Sequence, residues 1–190
     1  MTPKCESHPD EHSYGDIHRP AAPYALFHLS PLFKEGTLLD RANCPRKWEE
    51  LFGKSVALFF HDSKNNHCNN LFPRLLLDYR TLNENSDRQK MEIIYVPLDD
   101  TEEEYIKMRA RMPWLALPYN RETVNEFVEH YLVQKFNVTT PPYGYGALTD
   151  VPGLVVIDRS GAMLKNLGVD EIGFQRGWKA LGKWDLSLKF

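Results

Sequence analysis

The sequence predicts an α/β domain with a central mixed sheet flanked by helices. Two observations carry this. Compact apolar runs rich in β-formers alternate with segments whose apolar residues recur at helical spacing. Their order, β-α-β-α-β-β-α, buries strands on both faces, and such strands need helical cover on each side. At 190 residues the chain is long enough for one well-buried core and short for two independent domains.

The elements follow in order. Residues 1–37 read as an extended N-terminal arm. Its first 24 positions hold Pro3, Pro9, Pro20 and Pro23 among histidines and acids and show no helical or strand period. Two readings of the arm stay open: a poorly ordered terminus, or a docking segment anchored by Tyr14, Ile17, Tyr24, Leu26 and Phe27. The domain proper is placed at 38–190. Ser55–Phe60 is a buried strand, and Leu71, Phe72, Leu75, Leu76, Tyr79 and Leu82 mark a helix with Pro73 near its start. Met91–Leu98 is a second strand. Asp100 with Glu103 is expected to cap a short helix carrying Tyr105 and Met108. A further helix is expected from Thr123, with Glu126 at the reciprocal position and Val124, Phe127, Val128, Tyr131 and Leu132 on its apolar face. Leu154–Ile157 reads as a strand that turns through 158–161 into the apolar run Ala162–Leu164, as in a hairpin. A terminal helix around Phe174–Trp184 is weakened by Gly177 and Gly182.

Composition narrows function. Hydrophobic residues make up 42% and charged residues 26%, with a formal net charge of -3. This is a soluble globular balance without the concentrated positive charge that nucleic-acid binding needs. No apolar run reaches membrane-spanning length, and the first 19 residues resemble neither a secretory nor a mitochondrial leader. Three cysteines, Cys5, Cys44 and Cys68, make no disulfide framework, and nothing in the sequence pairs Cys5 with Cys44. An odd count fits a reducing compartment, so the expected location is cytoplasmic. His61, Asp62, His67 and Cys68 crowd zinc-ligand types into one segment. Their spacing matches no metal signature, however, and a strand would turn His61 and Asp62 opposite ways. No metal and no cofactor are expected.

Met112-Pro113-Trp114-Leu115-Ala116-Leu117-Pro118-Tyr119 is similar to the "WLALPF" segment of the tryparedoxin and nucleoredoxin branch of the thioredoxin superfamily. It follows Asp99 and an acidic helix at the family's distance. Phe136-Asn137-Val138 resembles the approach to the family's cis-proline loop, here Val151-Pro152-Gly153, and Val169–Trp178 resembles the last helix of nucleoredoxin-like proteins. The resemblance covers roughly residues 38–190. It implies a thioredoxin-like fold, a cis Pro152, and a redox motif after the first core strand.

That motif departs from the family. With Phe59-Phe60 and Phe72-Pro73 aligned, Lys64 stands where the branch has tryptophan and Asn65 where it has the attacking cysteine. Asn66 and His67 take the middle pair, and Cys68 takes the resolving position. Dithiol exchange begins with a thiolate, and Asn65 cannot supply one. The sequence therefore points to a noncatalytic binding or structural component of a protein assembly, cytoskeletal or ciliary (axonemal) in one setting. The alternative is a single-cysteine oxidoreductase or redox sensor using Cys68. Protein partners are expected through Tyr14, Tyr24, Phe27 and an inserted loop at about 139–150, where Tyr143 and Tyr145 stand among glycines and prolines. Trp114 is assigned mainly to core packing, with a flank on a peptide groove as its functional reading.

Overall fold

The computed structural model describes residues 32–34, 36–84, 91–133, 154–157 and 163–166. In chain order these form β1 (Leu38–Leu39), β2 (Pro45–Arg46), a 3-10 turn (Trp48–Leu51), β3 (Ser55–His61), α1 (Asn66–Glu84) and β4 (Met91–Pro97). Then come α2 (Glu102–Arg109), β5 (Leu115–Ala116), α3 (Arg121–Val128) running into a π turn (Glu129–Val133), β6 (Leu154–Ile157) and β7 (Met163–Asn166). Among the described residues they make one sheet in the order β2-β1-β5-β4-β3-β6-β7. The sheet is mixed: β3 pairs parallel with β4, and β4 with β5, whereas β3–β6 and β6–β7 are antiparallel. The architecture is the thioredoxin-like α/β fold expected from the sequence.

Strand period explains why both faces are closed. Val56, Leu58 and Phe60 of β3 point into one apolar layer with Ile94, Val96, Val155 and Ile157, covered by Val124, Phe127, Val128 and Tyr131. The alternate residues Ala57, Phe59, Ile93, Tyr95, Leu154 and Val156 enter the other layer, covered by Leu71, Phe72 and Leu75 of α1 and Tyr105 and Met108 of α2. All seven residues of β3 and of β4 are buried, which accounts for their near-continuous apolar runs. Gly53, at φ 82°, makes the left-handed turn that feeds β3.

Several sequence expectations shift. The folded body starts before residue 38. Phe33 is buried, its ring 4.2 Å from Trp48 and 5.8 Å from Phe127, and Lys34 pairs with Glu126 at 3.0 Å. The α2 cap is Thr101, whose hydroxyl accepts from Glu104 N, because Asp100 is held by Lys64 at 2.7 Å instead. The third helix begins at Arg121, capped by Asn120 accepting from Thr123 N, and Glu126 faces Lys34 rather than the cap. Pro73 lies inside α1, which continues through it to Glu84. The hairpin expected after β6 is present as the antiparallel β6–β7 pair. No helix among the described residues is long and apolar enough to cross a membrane.

Candidate functional site

Parallel pairing sets the geometry. β3 and β4 run in register to His61 opposite Pro97, and Leu98 N donates to the His61 carbonyl at 2.9 Å. The loops leaving the two strands therefore meet at the carboxyl edge of the sheet, the usual place for a site in an α/β fold. Asp99 joins them. It is fully buried, and its carboxylate accepts from Ser63 N at 3.0 Å and from the Tyr95 hydroxyl. The Arg121 guanidinium donates to the Asp99 carbonyl at 2.7 Å, and Tyr119 donates its hydroxyl to the Asp100 carbonyl at 2.8 Å. On the outside, Lys64 bridges Asp100 at 2.7 Å and Glu104 at 3.3 Å, and these carboxylates hold its ammonium pKa above the usual value. Lys64, which the resemblance alone puts in the family's tryptophan position, is an exposed ion-pair partner.

Asn65 has a local job. It precedes α1, its N–H donates to the Asp62 carbonyl at 3.0 Å, and its side-chain oxygen accepts from Cys68 N at 3.3 Å. This is an N-cap: a short polar side chain satisfies one of the four amide groups a helix start leaves without partners. The amide that would stabilise an attacking thiolate here is occupied by a capping carbonyl.

Cys68 lies one turn into the helix and is 1% exposed. Its Sγ–H is directed at the Phe60 carbonyl, 3.7 Å away. Burial pushes its pKa up to about 11, only partly opposed by a backbone N–H of Asp62. At neutral pH it is a buried thiol, and thiols of this kind are poor nucleophiles. Cys68 is also the free cysteine among the described residues. Cys44 is disulfide-bonded, which replaces the expectation of a single thiol there.

His61 points into the layer beneath α1, its ring 5.2 Å from Phe59 and 6.1 Å from Tyr95. It is fully buried, and desolvation lowers its pKa to about 4. Asn69 is near enough to act on the ring, but its amide N–H is directed to the Ser63 carbonyl at 2.7 Å, and both imidazole nitrogens lack a hydrogen-bond partner. The Asp62 carboxylate accepts from Lys64 N at 2.8 Å, and burial raises its pKa. Among the described residues no three His, Cys, Asp or Glu side chains form a metal-holding group.

Trp114 is 1% exposed, with Phe72, Tyr79 and Phe59 edge-on around it at 5.8, 5.4 and 6.1 Å. It is a core residue, in line with its main assignment, and at 1% exposure it offers no surface to a partner, which corrects its second reading as a binding residue on a peptide groove. Tyr14, Tyr24, Phe27, Tyr143, Tyr145, Pro152 and the terminal helix lie outside the described residues.

A family model described as Thioredoxin-like matches residues 53–163, which hold β3 through the start of β7. The chain belongs to the thioredoxin-like family. Within the superfamily it sits on the nucleoredoxin and tryparedoxin branch. It is 28% identical over 164 residues to probable nucleoredoxin 3 of Oryza sativa subsp. japonica, covering 72% of this chain and 34% of that protein. It is 30% identical over 153 residues to nucleoredoxin-like protein 1 of Xenopus laevis, covering 77% of this chain and 65% of the relative. The chain thus spans about a third of the rice protein. Among solved structures, tryparedoxin II complexed with glutathionylspermidine superposes with a TM-score of 0.59 at 20% identity, covering 84% of this chain and 96% of that one. That likeness concerns the fold.

The sequence singles out Asn65 and Cys68 by resemblance but not the capping role of Asn65. The signal was present, because Asn directly before a helical pattern is a capping residue. In the sequence Asp99 is only a spacing marker. Its role as the link between two loops depends on the β3–β4 register, which no local pattern carries.

Proposed function

We propose that this thioredoxin-like protein binds protein partners without dithiol exchange, as a noncatalytic component of a protein assembly. The observation that carries the reading is Asn65 serving as the helix N-cap at the attacking position. The burial of Cys68 supports it, since a thiol with a pKa near 11 and 1% exposure is poorly suited to act alone. Retention of both apolar layers around a site without a nucleophile is what a binding role asks of this fold. The arm and the 139–150 loop remain the proposed contact segments. The cytoskeletal or ciliary setting has no support in the described residues, and the proposal stops at a protein assembly.

The rival is single-thiol chemistry at Cys68. Affinity capture with the intact chain separates the two when wild type is run beside Cys68→Ser, a variant lacking residues 1–24, and a double Tyr143→Ser, Tyr145→Ser variant. The binding reading expects wild type and Cys68→Ser to retain the same partners, and at least one of the other variants to lose them while folded. Partners that leave only with a reductant, or that disappear with Cys68→Ser, favour the rival. If neither the truncated nor the tyrosine variant loses a partner, the proposed contact segments are wrong.

A further inference from the structure

Beside the degenerate redox loop a cavity of about 450 Å³ opens between the start of α1 and α2, lined by Ser63, Asn69, Glu104, Lys107, Met108 and Arg111. Its size lies within the range of ligand-binding clefts. The charges around it are unequally satisfied. Glu104 pairs with Lys64 at 3.3 Å and Lys107 with Glu103 at 2.7 Å. Arg111 has no carboxylate partner among the described residues. Its guanidinium lies 4.9 Å over the Phe72 ring centroid, and among the described residues it donates to Met108 Sδ at 3.7 Å. Stacking of this kind holds the planar fork in place while leaving its N–H edge for an anion, and a fixed fork binds carboxylates better than a mobile ammonium.

The other lining groups suit a peptide. The Ser63 hydroxyl and the Asn69 side-chain oxygen can meet backbone amide groups, and Met108 supplies apolar contact. Glu104, although paired, sets a limit: a second acid close to the first would be repelled.

We propose that this cavity seats one carboxylate of an acidic peptide segment from a protein partner, with Arg111 as the anion-binding fork. This deepens the binding role proposed above and rests on it. The carboxylate can come from a Glu or Asp side chain or from a chain terminus, and the probes separate these sources.

The test titrates the full-length, nitrogen-15-labelled chain at matched ionic strength, recording backbone amides and arginine side chains. Four probes are used: acetyl-Ala-Glu-Ala-amide, acetyl-Ala-Gln-Ala with a free C-terminus, acetyl-Ala-Gln-Ala-amide, and acetate. Saturable shifts at Ser63, Asn69, Lys107 and Arg111 are expected with one or both acidic peptides. The neutral peptide should produce none, and acetate should bind more weakly. Which acidic peptide binds names the source. Arg111→Gln should weaken binding by about tenfold or more, the scale of a lost charge-assisted hydrogen bond, with the rest of its spectrum unchanged. Equal binding of the neutral peptide or of acetate, full binding by Arg111→Gln, or no saturable shift with either acidic peptide overturns the site. Failure here with partner capture unaffected by Cys68→Ser removes the cavity alone. Partners released only by reductant remove the underlying reading, whatever the titration shows.

Discussion

Iodoacetamide added to the native protein at neutral pH meets a Cys68 thiol that is 1% exposed and whose pKa burial raises to about 11. The thiolate is the reacting species, so ionisation alone lowers the rate by about 100-fold relative to a thiol at the reference 9.0. Access lowers it further, because the reagent must wait for α1 to open from the Phe60 carbonyl and the layer around Leu71. Reading the mass of the Cys68 peptide keeps other cysteines out of the measurement. The expected result is native modification at least about 100-fold slower than in the guanidinium-unfolded chain. A native rate within about threefold of the unfolded rate would mean an accessible thiolate. That result would refute the burial argument and restore the single-thiol enzyme.

Three further outcomes follow from the same geometry. The pKa of His61 is lowered by burial to about 4 from 6.5, so the unfolded chain binds the proton more readily between those values. Stability should be full above the unfolded pKa and fall by about 3 kcal/mol as pH drops through the folded one. His61→Phe should flatten that part of a urea-derived stability profile. Asp62, raised by burial, tilts the profile the opposite way in both proteins, so the difference between them isolates His61. Asn65→Ala should cost about 1 kcal/mol of stability through the lost cap, and an unchanged denaturation midpoint would contradict the cap. Trp114→Ala should cost about 3–5 kcal/mol, seen as a large fall in Tm, because three rings close around that site. A small change would mean the core refills easily.

Elements with a strong local signal were legible in the sequence. β3 and β4 announced themselves as unbroken apolar runs, and α1 and α3 by residues at helical spacing, because burial on both faces or on one stripe dictates residue type position by position. The two-residue strands β1, β2 and β5 were not legible. Leu38–Leu39 and Leu115–Ala116 are too short to show a period and are strands only because each finds a sheet neighbour. Helix starts differ by one or two residues where Asp100, an acceptable cap, and Glu126, an acceptable reciprocal acid, pair instead with Lys64 and Lys34 across the fold. The site divides the same way. Asn65 and Cys68 stand out in the sequence because neighbouring phenylalanines and a proline suggest a register with the family's loop, whereas the cap and the burial come from the fold. Arg111, Lys107 and Asn69 could not be grouped, because only the packing of α2 beside the start of α1 brings them to one cavity.

The proposed function rests on a capping asparagine at the position that the family resemblance gives to the attacking cysteine, beside a buried thiol. Reduction of insulin disulfides by the purified chain, with dithiothreitol as electron source and Cys68→Ser in parallel, tests it most directly. Wild type and Cys68→Ser should both match the rate of dithiothreitol alone. Turnover by wild type above that rate, abolished by Cys68→Ser, would contradict the account.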